Sequence, residues 1–254
     1  MRIVRGESGR MAERKDIVAE SKKLPVAVVT GVGPGLGASL ARRFAKGYAV
    51  AINARRADYL GSLAREIREA GGDALELPCD IGDRAAVEAA LQSVRERLGP
   101  PEVLIFNAGS GAFGTVTEIT PEQFEDSWRV NAFGAFVCAA QCAPQMISRR
   151  RGVMLFTGAT AGVKAGPRSI AFGPAKFAMR GLAQSLARDL GPKGIHVAWI
   201  NVDGSIDIPG RNIGLKKEDM LDPDAIAETY WHLAHQDRSA WTMELEVRPF
   251  REKF

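Results

Sequence analysis

The sequence predicts an α/β fold: a doubly wound sheet of about seven mainly parallel strands with helices on both faces. Two observations carry the prediction. Apolar, β-branched runs alternate along the chain with stretches of helical periodicity, the pattern of parallel strands joined by crossover helices. Glycines 31, 33, 35 and 37 then fall directly between the first such run and the first helical stretch. The 254 residues, 46% of them hydrophobic, suit one domain with a sizeable core. Residues 1–24 read as an N-terminal extension and residues 25–254 as that single domain.

In chain order, strands are expected over residues 26–30, 49–53, 74–78, 103–107, 153–157, 196–202 and 244–247. Between them, Leu60, Leu63 and Ile67 recur at helical spacing, as do Val87, Leu91, Val94 and Leu98. Thr120 and Pro121 are a cap and a first helical residue, opening a helix over residues 121–128. The stretch 131–143 is apolar on nearly every side. Residues 177–190 place Leu182, Leu186 and Leu190 on one face, widened by Ala178, Ala183 and Ala187. Helices apolar all round need more cover than one sheet face supplies, so a homodimer or homotetramer is expected. No period of 20 to 50 residues repeats, and no low-complexity linker divides the chain.

Several classes are excluded at this level. The first 24 residues mix seven basic with four acidic side chains and lack an apolar block, unlike a signal or transit peptide; Met11 is a candidate internal start. No uninterrupted apolar run approaches the roughly 18 residues that cross a bilayer, so no membrane partner is expected. The net charge of +4 is diffuse, without a basic stripe interleaved with aromatics, so no nucleic-acid partner is expected either. Arg149, Arg150 and Arg151 read as a solvated helix end. Cys79, Cys138 and Cys142 are odd in number and lack metal-ligand spacing; buried, reduced thiols in a cytoplasmic protein without a metal are expected.

Residues 30–37 read TGVGPGLG. Glycine permits a tight turn and close approach of a phosphate, and the following helix offers free N–H groups and a positive dipole end. The motif fits a dinucleotide fingerprint in two registers, from Gly33 or from Gly31. The second fits better because Gly31 immediately follows the strand. At the end of the second strand, where a site selective for NAD places an acid, stands Ala54, followed by Arg55. Arginine pairs with a 2′-phosphate, so NADP(H) is favoured and NAD(H) stays open. Asp58 is expected to cap the next helix.

From residue 24 to 249 the chain resembles the short-chain dehydrogenase/reductase family. The carriers, in order, are TGVGPGLG at 30–37, Cys79-Asp80-Ile81, Asn107-Ala108-Gly109, Trp128-Arg129-Val130-Asn131 and Lys176. The resemblance implies a Rossmann-like sheet and a nicotinamide-dependent oxidoreductase acting on a small carbonyl or alcohol. Cofactor contacts are then expected from Thr30, Gly31, Gly33, Gly35, Leu36, Gly37, Arg55, Asp80, Ile81, Asn107, Ala108, Gly109, Lys176, Gly204 and Ile206. In that family a serine, tyrosine, lysine and asparagine work together. The tyrosine exchanges a proton with the substrate oxygen, the lysine lowers its pKa and holds the ribose, the serine orients the substrate and the asparagine anchors a water. Asn131 and Lys176 match. Phe172 stands at the tyrosine position and Ala159 at the serine position. The family's late proline–glycine motif reads DGSIDI over residues 203–208, with Asp203 for the proline and Ile208 for a threonine.

A phenyl ring has no proton to exchange, and losing such a group forfeits about 10²- to 10⁴-fold in rate. Thr160, Ser110, Ser205 and Lys176 are candidates for the missing donor. Tyr48, Tyr59 and Tyr230 fall far from the motif in sequence, and His196, His232 and His235 read as structural. Pro174 is expected to hold Gly173 off helical angles, leaving Phe172 just before a helix and Lys176 in its first turn. The segment 208–221, about fourteen residues, predicts a short lid and an open pocket. Three functions stay open: an oxidoreductase with an atypical proton donor, a cofactor-binding protein with little redox activity, and other chemistry with Lys176 as base.

Overall fold

The computed structural model describes residues 23–252. The extension expected over residues 1–24 therefore lies, apart from Lys23 and Leu24, outside the described residues. Seven strands form one sheet: β1 (Val26–Thr30), β2 (Ala49–Ala54), β3 (Asp73–Pro78), β4 (Pro101–Phe106), β5 (Gly152–Thr157), β6 (Ile195–Val202) and β7 (Glu244–Val247). Their spatial order is β3-β2-β1-β4-β5-β6-β7, and every pairing is parallel. The doubly wound expectation holds, and the sheet is parallel throughout.

Helices α1 (Leu36–Phe44), α2 (Ala57–Glu69) and α7 (Pro223–Ala234) cover one face. Helices α3 (Arg84–Arg97), α5 (Gly134–Arg149) and α6 (Phe172–Leu190) cover the other. Alternate residues of each strand feed the two layers: Ala27 and Val29 join the first core, Val26 and Val28 the second. A sheet buried on both faces accounts for the near-continuous apolar strands. The chain turns from one wing to the other between β1 and β4. The cleft beyond their carboxyl ends is where an open α/β sheet takes ligands.

Four expectations are corrected. Helix α4 (Pro121–Trp128) is capped by Thr120 as predicted, but it runs through a π-helical turn at Arg129–Phe133 directly into α5. The resulting helix Pro121–Arg149 is long and apolar enough, by length and a mean hydropathy of 1.2, to cross a membrane, with half of its most apolar window buried in the protein. The run was invisible as a plain apolar stretch because charged residues interrupt it at one end. Asp58 does not cap α2: Arg56 occupies the N-cap and Asp58 lies inside the first turn, where its charge still suits the dipole. Helix α6 begins at Phe172, so Lys176 lies past its first turn. Pro174 is tolerated because the first-turn N–H groups have no intrahelical acceptor. Finally, Cys138 and Cys142 are buried free thiols, whereas Cys79 is only partly buried.

Candidate active site

The turn after β1 is built by steric necessity. Gly31 has φ +66°, and a Cβ there would lie 2.4 Å from the Ala108 Cα. A Cβ on Gly37 would lie 2.6 Å from the Gly31 carbonyl oxygen. These two glycines let strand, turn and helix close on each other, while Gly33 has open space where its side chain would be. The register starting at Gly31 is therefore the one that packing uses. Gly35 is the N-cap of α1, whose first turn carries no acid, leaving its positive end to an anion.

The segment after β4 is tied to this turn. Thr30 Oγ1 accepts from the Asn107 and Ala108 amides at 3.2 and 3.3 Å, and Asn107 Nδ2 donates to the Gly31 carbonyl at 3.0 Å. Between them opens a cavity of about 290 Å³ lined by Gly31, Gly33, Arg55, Asp80, Ile81, Asn107, Ala108 and Gly109 among the expected residues. Asn53 and Arg56 also line it and were missed; Cys79 and Val130, from the segments that carry the resemblance, and Ser110, a candidate donor, line it too. Asn53 donates to the Cys79 carbonyl at 3.1 Å, which fixes the edge of the cavity. A buried strand-end asparagine with no apolar role was the signal available. Asp80 accepts from the Gly82 amide at 2.8 Å, shaping its own loop. Thr30 and Gly37 hold the turn rather than line the cavity, and Gly204 and Ile206 stand on the far side of the cleft. There Ile208 packs on Gly35, its Cγ1 2.9 Å from where a Cβ would be.

Asn131 sits in the π-helical turn and is fully buried. Its Nδ2 donates to the Ser127 carbonyl at 2.8 Å and to the Ser110 carbonyl at 2.5 Å, while Oδ1 has no hydrogen-bond partner among the described residues. Lys176 is 3% exposed, and its Nζ donates to the Thr157 carbonyl at 2.9 Å. A lysine reaching into solvent is thereby ruled out. A Cβ on Gly109 would meet Lys176 Nζ at 3.3 Å and Asn131 Oδ1 at 3.4 Å, so both polar atoms converge beside Gly109. Burial pulls the Lys176 ammonium down from 10.5 to about 8. The Phe172 ring, 5.5 Å from Nζ to its centroid, offers the cation its π face in partial compensation.

One tyrosine dismissed on sequence distance is close in space. Tyr230, fully buried on α7, donates to Thr157 Oγ1 at 2.8 Å, and Thr157 Oγ1 donates to Asn107 Oδ1 at 3.2 Å. Thr157 thus links Lys176, Tyr230 and Asn107 through the sheet. Burial raises the Tyr230 hydroxyl well above its ordinary value, so it serves as a structural donor.

On the other side of Phe172 lies an open cavity of about 530 Å³, lined by Phe113, Ala159, Thr160, Lys164, Ser169, Phe172 and Gly204. Ala159 and Phe172 do converge here, as the resemblance implied for the positions of serine and tyrosine. The segment bearing Ser169 is pinned to Gly114 by a parallel bridge, and Phe113 packs on Phe172 with centroids 5.1 Å apart. Thr160 is not a free proton donor, because its hydroxyl donates to the Asp203 carboxylate. Ser110 and Ser205 contribute carbonyls to Asn131 and to the Leu221 amide. The segment 208–221, expected to form a short lid, is strapped at its base by an Ile206–Leu221 bridge.

A model of the short chain dehydrogenase family matches residues 25–206. The chain belongs to the short-chain dehydrogenase family. A short-chain dehydrogenase/reductase from Hericium erinaceus, eriH, is 35% identical over 176 residues, spanning 67% of this chain and 70% of that protein. A short-chain dehydrogenase crystal structure from Rhodopseudomonas palustris superposes with a TM-score of 0.78 at 35% identity, covering 90% of this chain and all of that one. An alcohol dehydrogenase from Thermococcus sibiricus, complexed with 5-hydroxy-NADP, does so at 0.82 with 27% identity, covering 90% and 98%. The chain is thus an oxidoreductase-family protein with a Rossmann-type nucleotide-binding sheet.

The site fits a dinucleotide on its own geometry. The open face of Gly33, the acid-free start of α1 and the orphaned Asn131 Oδ1 provide room, positive potential and an unmet acceptor.

Proposed function

We propose that this protein is an NADP(H)-preferring oxidoreductase interconverting a small carbonyl and its alcohol, with Lys176 as the proton source. The nicotinamide group, when bound, supplies or receives the hydride. The observation that carries the reading is the buried Lys176 Nζ, which faces the same point over Gly109 as the unpartnered Asn131 Oδ1. An ammonium brought down to about 8 gives up a proton near neutral pH far more readily than an ordinary lysine. Phe172 cannot do so, and Ala159 offers no hydroxyl. Gly31, Gly33, Asn107 and Lys176 would hold the dinucleotide, and Arg55, exposed at the rim of the 290 Å³ cavity, would meet a 2′-phosphate.

One observation favours the second reading, cofactor binding with little redox activity: Lys176 lines neither cavity. Fluorescence titration with NADPH and NADH, followed by a carbonyl screen of wild type and the Ala159→Ser/Phe172→Tyr double variant, separates the two. Turnover by wild type supports Lys176 as donor. Turnover by the double variant alone supports the second reading, and binding of neither nucleotide sinks both. We also propose a homodimer or homotetramer, because Trp128, Phe136 and Phe177 are 45%, 52% and 42% exposed on α4, α5 and α6. The unpaired thiols support a cytoplasmic setting.

A further inference from the structure

A polar cluster with an unusual polarity reaches the 530 Å³ cavity through one lining residue, Thr160. Asp203, 4% exposed, takes the place between β6 and the lid. Its Oδ2 lies 2.8 Å from an Arg248 guanidinium nitrogen, and its Oδ1 accepts from Thr160 Oγ1. A carboxylate facing a guanidinium only accepts, so the bond runs from Thr160 to Asp203. A threonine hydroxyl has one proton, and here that proton is committed to Asp203. Thr160 lines the cavity beside Ala159, so its oxygen can offer an incoming group only a lone pair.

Resting on the proposed oxidoreductase function, with the substrate in the cavity that Ala159 and Phe172 line, we infer that Thr160, held by Asp203 and Arg248, is a specificity-determining acceptor. It selects substrates that carry a hydroxyl beside the reacting carbon. A hydroxyl donates to Thr160 Oγ1. An ether or alkyl group at the same position leaves that buried-side acceptor unpaired, and a second carbonyl oxygen meets it lone pair to lone pair. Asp203 and Arg248 are positioning residues, since they act through the threonine. The β6–lid junction is shaped to keep them there: Gly204, at φ +135°, turns directly after Asp203, and a Cβ on it would lie 2.9 Å from Pro249 Cδ, one residue past Arg248.

The test uses matched pairs of small α-hydroxy ketones and their O-methyl ethers, on the intact protein saturated with NADPH. Binding is read by ligand-observed NMR and reduction by NADPH absorbance. Wild type should prefer the hydroxy member of the pairs that bind by about 10-fold or more. Thr160→Ser should retain that preference, and Thr160→Val should bring it within about twofold. Asp203→Asn, which frees the threonine proton to turn toward the cavity, should narrow it without a matching loss of NADPH affinity. A panel in which no hydroxy ketone outbinds its ether, or a preference surviving in Thr160→Val, overturns the inference while the cofactor reading stands. Failure of wild type to bind NADPH in the same samples overturns both.

Discussion

The two halves of the cleft are built to different standards of constraint. At the β1–β4 side, four of the positions expected to shape the cradle meet a packing requirement: Gly31 and Gly37 admit no Cβ, and Thr30 and Asn107 stitch two strand ends together. At the β5–β6 side, the positions expected to meet the reacting oxygen are Ala159 and Phe172. A charged cluster, Thr160–Asp203–Arg248, stands next to them. The comparison separates holding a cofactor from moving a proton. The first is enforced by backbone geometry, so one substitution breaks it. The second rests on side chains that can be exchanged without disturbing the fold.

The largest effect should come from the constrained side. Gly31→Ala forces a side chain into the Ala108 backbone at a positive φ, so we expect a loss of several kcal/mol, roughly 3 or more, and no NADPH binding. Thermal unfolding and fluorescence titration check both. If Gly31→Ala binds NADPH normally, the contrast between the halves fails.

Lys176→Met probes the boundary between them. Turnover, where wild type shows it, should fall by about 10²- to 10⁴-fold. Stability gives a second readout with a definite sign. The folded chain holds Lys176 at about 8 against an ordinary 10.5, so between those values the unfolded chain binds more protons. Wild type should therefore gain stability relative to Lys176→Met as pH rises from 8 to 10.5, by up to roughly 3 kcal/mol. Denaturant titrations across that range measure it, and a pH-independent difference would show that Lys176 is not strained by burial. For the same reason, carbonyl reduction should decline as pH rises through about 8.

Arg55→Ala tests the nucleotide preference. It should weaken NADPH by about 10-fold and leave NADH nearly unchanged, since only the 2′-phosphate meets the guanidinium. Equal weakening of both would place Arg55 outside the recognition of that phosphate. The smallest effect belongs to Tyr230→Phe, which removes one buried hydrogen bond to Thr157 and should cost about 1 kcal/mol in unfolding free energy. NADPH affinity should barely move, because Asn107 keeps its bond to the Gly31 carbonyl.

Legibility followed the range of the interactions. Strand ends, the Thr120 cap and the Gly31 register depend on neighbours within a few residues, and they were readable. The start of α6 was placed too late because Pro174 was weighed as a breaker, while the helix takes in Phe172, and the Gly173 amide is bonded to the Ser169 carbonyl at 2.8 Å. Asn53, Tyr230 and Arg248 reach the site from 24, 73 and 45 residues away from their partners Leu77, Thr157 and Asp203 (the last by numbering alone), and nothing local announces such pairings.

By itself, the sequence determined a parallel doubly wound sheet, a dinucleotide turn at residues 30–37 and the absence of a hydroxyl at positions 159 and 172, because periodicity, glycine placement and side-chain chemistry are local properties. Only the tertiary structure decided that Lys176 is buried beside an orphaned asparagine oxygen, and that the proton of Thr160 belongs to Asp203. Desolvation and hydrogen-bond direction depend on what the fold brings within about 3 Å, and residues distant in the chain supply it.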